Sequence, residues 1–431
     1  MKIRLGFLFL LLITGALVFA GGTQEEAQVP KTVTVDYATY RVGMHVSAPA
    51  EGQVLAEFIT NNKDTITLRI EELPSDDAYT NKMKTLAASK SLPHVIDSKN
   101  GLRELAVKNG QAVNLIPILN ADPEWKAVVG QGAIDFNTGS DGKCYSLATG
   151  KWTLGYFYNK EMFDAVGIRP AKNWDEFMTN CAALKAGGYT PLAMMTGENS
   201  WTTNLFLAAM VGSSNAAGNA FMNYHYPDNY ETPEMIKALT MMKTLLKDYS
   251  TGDSLGANYA NAANNFCQEQ AAMIANGPWM IPDFSNPEKT NPGFDRKVAV
   301  AMFPNNSAVS LYDVGYSLCT AGESKEVQDA AIIFLKHMTS LRAQEIYLTK
   351  ANMLPASPLL VISDEFRKDN VLLSQLIEKS GKTDLQYQTF DQTAYASVVD
   401  AFGVYYPEMV FDSITPAEMA KKLTEAALKN K

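Results

Sequence analysis

Val33-Thr34-Val35-Asp36-Tyr37, Val54-Leu55-Ala56-Glu57-Phe58-Ile59 and Ile66-Thr67-Leu68-Arg69-Ile70 are the three runs that decide the fold class. Val33, Val35 and Tyr37 alternate with polar residues, the period of a half-buried strand. Val54, Leu55, Phe58 and Ile59 share one helical face, and Ile66, Leu68 and Ile70 restore the alternation. Strand, helix, strand implies a parallel pair joined by a crossover helix, hence an α/β fold. A further helix is expected near 78–90, and a strand over Pro93-His94-Val95-Ile96-Asp97. Ligands of open α/β sheets sit beyond the carboxyl ends of the strands. Tyr40, Arg41 and the loop from Asp97 through Ser98 to Asn100 therefore stand where a ligand would be read.

Upstream of this unit, Met1-Lys2-Ile3-Arg4 is a short basic segment, followed by an uncharged apolar run over 5–19. Val18-Phe19-Ala20 then offers a cleavage site, so residues 1–20 are expected to be a signal peptide removed after about Ala20. No Cys lies near that site to take a lipid anchor, and the expected location is periplasmic. Residues 21–30 read as a disordered leader. Cleavage removes Lys2 and Arg4, taking the net charge from −9 over 431 residues to −11 over 411. A chain 46% hydrophobic and 19% charged can bury a large core. Its acidic balance argues against nucleic acid, whose phosphates need clustered Lys and Arg. Cys144, Cys181, Cys267 and Cys319 either form disulfides, in one of three pairings, or stand as four buried thiols.

Downstream, Asn173 with Glu176 marks a helix start, with Trp174, Phe177, Cys181 and Leu184 on one face. Thr232-Pro233 opens a second helix and Thr415-Pro416-Ala417-Glu418 the last one. Val327, Ala330, Ala331, Phe334, Leu335 and Met338 form another apolar stripe. These stripes face a core, and no cofactor is expected.

The motifs of catalysis are missing. Gly315-Tyr316-Ser317-Leu318-Cys319 lacks the second glycine of a nucleophile elbow, and neither a phosphate loop nor a C-x-x-C occurs. His45, His94, His225 and His337 have no metal-ligand spacing. Carboxylates such as Asp76 and Asp77 look like any solvated surface pair. No catalytic residue and no metal site is assigned.

Residues 152–163, Trp152-Thr153-Leu154-Gly155-Tyr156-Phe157-Tyr158-Asn159-Lys160-Glu161-Met162-Phe163, resemble the "Y-Y-N-K-x-x-F" signature of the family 1 extracellular solute-binding proteins. These are the sugar receptors of ABC importers, among them the maltose-binding protein. Further blocks follow in the family's order. Ala165-Val166-Gly167-Ile168-Arg169-Pro170 is similar to "A-G-x-x-x-P", and Asn173-Trp174-Asp175-Glu176-Phe177 to "T-W-D-E-F". Residues 266–279 resemble "F-x-x-G-x-A-A-M-x-x-x-G-x-W", with Glu269 in place of the usual Gly. Gly315-Tyr316, the stretch 324–340 and Leu354-Pro355 complete the series.

The resemblance implies a two-lobe periplasmic binding protein fold (type II-like) with hinge crossovers and an interlobe ligand cleft. Mapped onto this chain, one lobe takes 31–148 and about 304–350, the other 149–303 and about 351–431. Sugars present apolar C–H faces and rims of hydroxyls, which call for aromatic rings and charged or amide partners. On the family's pattern, Trp279 is the expected stacking ring, with Trp201 and Glu198 beside it. Asp313, Gly315 and Tyr316 join them from the returning segment; Gly315 would let ligand approach the backbone. Asp391 and Tyr395 are more distant candidates. Trp125 and Trp174 read as packing, and Trp152 stands at the expected hinge.

The implied function is a monomeric receptor that captures a sugar or oligosaccharide by hinge closure. It would deliver the sugar to ABC permease subunits in the membrane, without turnover. The alternatives are a same-fold receptor for a polyamine, phosphate ester or metal chelate, and a carbohydrate hydrolase working through two carboxylates.

Overall fold

The computed structural model describes residues 32–139 and 141–430. The expected signal peptide and the leader at 21–30 lie outside the described residues.

Among the described residues, ten strands form two sheets: β1 (Val33–Thr39), β2 (Ile66–Glu72), β3 (Val95–Asp97), β4 (Gly150–Asn159), β5 (Met273–Asn276), β6 (Val298–Ala301), β7 (Ser307–Tyr312), β8 (Tyr316–Leu318), β9 (Leu354–Pro355) and β10 (Leu385–Tyr387). The first sheet runs β2-β1-β3-β8. β1 is parallel to β2 and β3, and β8 returns antiparallel to β3. The helix Ala48–Asn62 makes the crossover from β1 to β2, as the hydrophobic periods require. Val54, Leu55 and Phe58 are buried, but Ile59 is 43% exposed. It follows Phe58 by one helical step of 100° and so turns off the buried stripe. A second helix, Asp76–Ala88, is capped by the Ser75 side chain accepting from the Ala78 N–H.

The second sheet is built on the ten-residue β4. Its first half pairs with β9 and β7, and its second half lies antiparallel between β5 and β6. β7 also carries β10, in parallel. Against this sheet lies the helix Trp201–Gly212, buried at every position from Thr202 onward. Around it pack Tyr156, Phe177, Leu239, Met242, Phe402 and Leu423. The first sheet has its own core, with Tyr37, Phe58, Val95, Trp125, Phe334 and Tyr347. Two sheets with separate cores make two lobes. The chain passes between the cores near Ala148–Leu154 and Val309–Tyr316, and leaves the first core again beyond Ala356.

The helix starts follow local chemistry. Thr415 and Glu418 cap each other's backbone N–H reciprocally, and Thr232 accepts from the Met235 N–H. Asn173 accepts from the Glu176 N–H, but the Glu176 carboxylate reaches back to the Lys172 N–H, one residue before the cap. Trp125 and Trp174 are buried packing residues whose indole N–H groups donate to Thr339 and Ser213, both at 2.9 Å. All four cysteines are buried free thiols.

Glu269, where the family pattern carries Gly, stands at φ +59. That left-handed backbone is the one glycine adopts without strain. Its carboxylate is held by Lys297 Nζ at 3.0 Å and Asn159 Nδ2 at 3.1 Å.

Gly315 has φ +61, and a Cβ there would lie 1.8 Å from the Leu147 carbonyl oxygen. The glycine is required by the chain's own hinge backbone. Gly315→Ala is expected to destabilise the fold by about 2 kcal/mol or more, measured as a lower midpoint in urea.

Candidate functional site

The ends of β1 and β3 place Tyr40, Arg41, Asp97, Ser98 and Asn100 on one edge of the first sheet. All five are buried. Arg41 organises them. Its Nη2 donates to Asp97 Oδ2 at 2.6 Å and its Nη1 donates to the Tyr316 hydroxyl. Glu51 lies 3.8 Å from the guanidinium and accepts from Tyr37 at 2.5 Å and from Tyr347. The guanidinium carbon sits 5.1 Å from the centre of the Tyr40 ring and 5.5 Å from that of Tyr316. One buried cation thus serves two carboxylates and a cage of tyrosines, which is the arrangement that keeps buried charge tolerable.

Ser98 donates to Ser317 at 2.5 Å, and Asn100 donates to Thr80 at 3.1 Å. Between them, Lys99 pairs with Asp76 at 2.8 Å and sits 4.5 Å over the Tyr40 ring. Neither Lys99 nor Asp76 stood out in the sequence, since each alone looks like solvated surface.

Asp313 and Gly315 belong to the crossing. The Asp313 carboxylate accepts from the Thr149 N–H at 2.9 Å and the Thr149 hydroxyl at 3.0 Å. Burial, and next the Asp97 charge, push its carboxyl up to about 6. A carboxyl raised above its unfolded value of 3.8 favours the protonated fold. Its contribution is full below 3.8 and is lost as pH rises through 6, by up to about 3 kcal/mol. Asp313→Asn keeps the acceptor to Thr149 and removes the titration. Melting curves between pH 4 and 8 are expected to show the variant losing less stability over that rise than the parent.

The opposite lobe contributes Glu198, Trp201 and Trp279. Trp201 opens the buried helix and Trp279 follows β5, with ring centres 6.1 Å apart. Both rings are half-buried, resting on the core with part of their surface open. Glu198 accepts from the Tyr259 N–H at 3.1 Å. Burial raises its carboxyl, and Asp76 and Asp77 of the first lobe push the same way while Lys99 opposes them. Glu198 thus lies within electrostatic reach of the Lys99–Asp76 pair. Asp391, buried at 7% exposure, also lies within the influence of Lys99.

Glu198, Ser200 and Asn100 all have positive φ, between +50 and +55. Such strain in non-glycine residues concentrates at functional sites. The lobes touch beside this cleft: Lys84 pairs with Asp400 at 2.7 Å, the Val314 N–H donates to Gln392 at 2.9 Å, and Gly101 abuts Ala396.

The sequence profile of the bacterial extracellular solute-binding proteins matches residues 53–372. The multiple sugar-binding protein of Streptococcus mutans is 29% identical over 255 residues, which is 57% of this chain and 57% of that one. YcjN of Escherichia coli, provisionally named an ABC transporter periplasmic-binding protein, is 25% identical over 378 residues, 84% of this chain and 81% of its own. The structure superposes on that of a chitin oligosaccharide binding protein with a TM-score of 0.79 and 20% identity, covering 92% and 98% of the two chains. The two-lobe architecture and the span of the profile match agree, and the chain belongs to the bacterial extracellular solute-binding protein family.

Proposed function

We propose that this protein captures a neutral sugar or oligosaccharide between its lobes and hands it to a membrane ABC permease. One observation carries the reading. Half-buried Trp201 and Trp279 lie side by side in one lobe, and Glu198, three residues before Trp201, is within the electrostatic influence of Asp76, Asp77 and Lys99 of the other. Rings cover sugar C–H faces, and charged groups bind hydroxyls. The sugar-binding name of the Streptococcus mutans relative is consistent with it.

In this reading one lobe holds 31–148 and about 304–350, and the other holds 149–303 and about 351–431. Ligand favours the closed arrangement because only there do both lobes contact it. Arg41, Ser98, Asn100, Asp313, Gly315 and Tyr316 shape and hold the first-lobe edge, and Lys99, Tyr40 and Asp97 present polar atoms from it. The protein works as an exported, periplasmic monomer and leaves its ligand chemically unchanged.

The test is titration calorimetry with neutral oligosaccharides, followed by chromatography of the recovered sugar. Saturable binding with the sugar intact is the expected result. Release of shorter saccharides would mean a hydrolase.

A further inference from the structure

A cavity of about 620 Å³ opens between the lobes, with Gly101 and Ala396, which touch each other, in its lining. Trp201, Trp279, Glu198, Arg41 and Lys99 do not line it. Its volume lies within the ordinary range for small-molecule sites, roughly 300–1,000 Å³.

A chain of rings forms one wall. Tyr395 lies 5.1 Å from Tyr226, Tyr226 lies 5.9 Å from His225, and His225 meets Phe136 edge-on at 5.8 Å. Tyr145 and Tyr224 add further rings, and Tyr224 is 64% exposed at the edge of the cavity. Asn137, Asn223 and Asn430 bring amides. The buried Arg103 is already matched: Nε meets Glu104 at 2.8 Å, Nη1 meets Asn137 at 3.0 Å and Nη2 donates to Tyr226 at 2.7 Å. Burial, and then Arg103, lower His225 to about 4, so its imidazole adds no charge at neutral pH. Tyr226 holds a φ of +59 and anchors its N–H on the Thr393 carbonyl at 2.6 Å, so the ring wall is fixed in place.

Flat rings, amides and an internally neutralised Arg103 make up most of the lining, and the exposed Lys108 and Asp141 add one charge of each sign, which together suit a neutral polyhydroxylated ring. We propose that this cavity is a second, weaker saccharide site, distinct from the Trp279 cleft. Its walls come from both lobes, so occupancy is linked to hinge position. The inference goes beyond the proposed function and does not rest on it.

Saturation-transfer NMR tests it, using glucose, galactose, xylose and N-acetylglucosamine at millimolar concentration. Trp279→Ala removes the cleft contribution. Adding Tyr224→Ala, an exposed position that leaves the core intact, strips the edge of the cavity; Tyr226→Phe in the same background removes only a hydroxyl. Saccharide signal is expected to persist in Trp279→Ala and to fall several-fold with Tyr224→Ala or Tyr226→Phe added. Two results would overturn the proposal. One is background signal in Trp279→Ala alone; the other is a signal indifferent to both added substitutions. Failure of the cleft reading looks different: the parent and Trp279→Ala would then give equal signals.

Discussion

Trp279→Ala is expected to weaken carbohydrate binding by at least about a hundredfold, close to 3 kcal/mol. The indole follows Asn276-Gly277-Pro278 at the end of β5 and rests on the cores beside the Trp201 ring. Partly open aromatic faces of this kind concentrate binding energy, because they bury wide apolar area at low entropic cost. Trp279 is only half-buried, so the ligand-free variant should still fold cooperatively. Calorimetry of parent and variant on the same sugar, beside their ligand-free melting curves, separates lost binding from lost folding. A variant that binds as tightly as the parent would remove Trp279 from the site.

Arg41→Met is expected to destabilise the protein by about 4 kcal/mol. Arg41 is 6% exposed and is the cation between Asp97 and Glu51, which are 5% and 1% exposed. Methionine fills much of the volume but leaves two buried carboxylates without their counter-charge. The cost therefore comes from stranded partners more than from lost packing. Arg41→Lys keeps the charge but cannot reach Asp97 and Tyr316 at once, and should lose an intermediate amount. Denaturant midpoints of the three proteins at neutral pH give the order. Equal stability of Arg41→Met and the parent would contradict this account of the cluster.

The elements carried by local chemistry were legible in the sequence. The β1–helix–β2 unit follows from two hydrophobic periods, and the helix starts at Thr232 and Thr415 follow from their cap residues. The family blocks singled out Trp279, Trp201 and Glu198 as candidates and set Glu269 where the family carries Gly, a position whose backbone is left-handed here. What stayed hidden depends on distance along the chain. Lys99 gains its meaning from Asp76 and Tyr40, and Arg103 from Tyr226, which is 123 residues away. Gly315 looked like room for a ligand, but the nearby atom is the Leu147 carbonyl, brought there by antiparallel pairing of the crossing segments. Asp313 likewise gave no sign of its bond to Thr149. Sequence periods report which face is buried; they do not report what the buried polar groups meet.

The central claim is that the cleft takes a neutral carbohydrate. Its most direct test is thermal melting of the 21–431 form against a panel. The panel pairs neutral mono- and oligosaccharides with spermidine, glucose 6-phosphate and ferric citrate, which stand for a polyamine, a phosphate ester and a metal chelate. A ligand at 1,000 times its dissociation constant adds about 4 kcal/mol to the folded state. The account predicts a clear rise in melting temperature with at least one neutral saccharide and none with the other three. A rise confined to spermidine, glucose 6-phosphate or ferric citrate would contradict it.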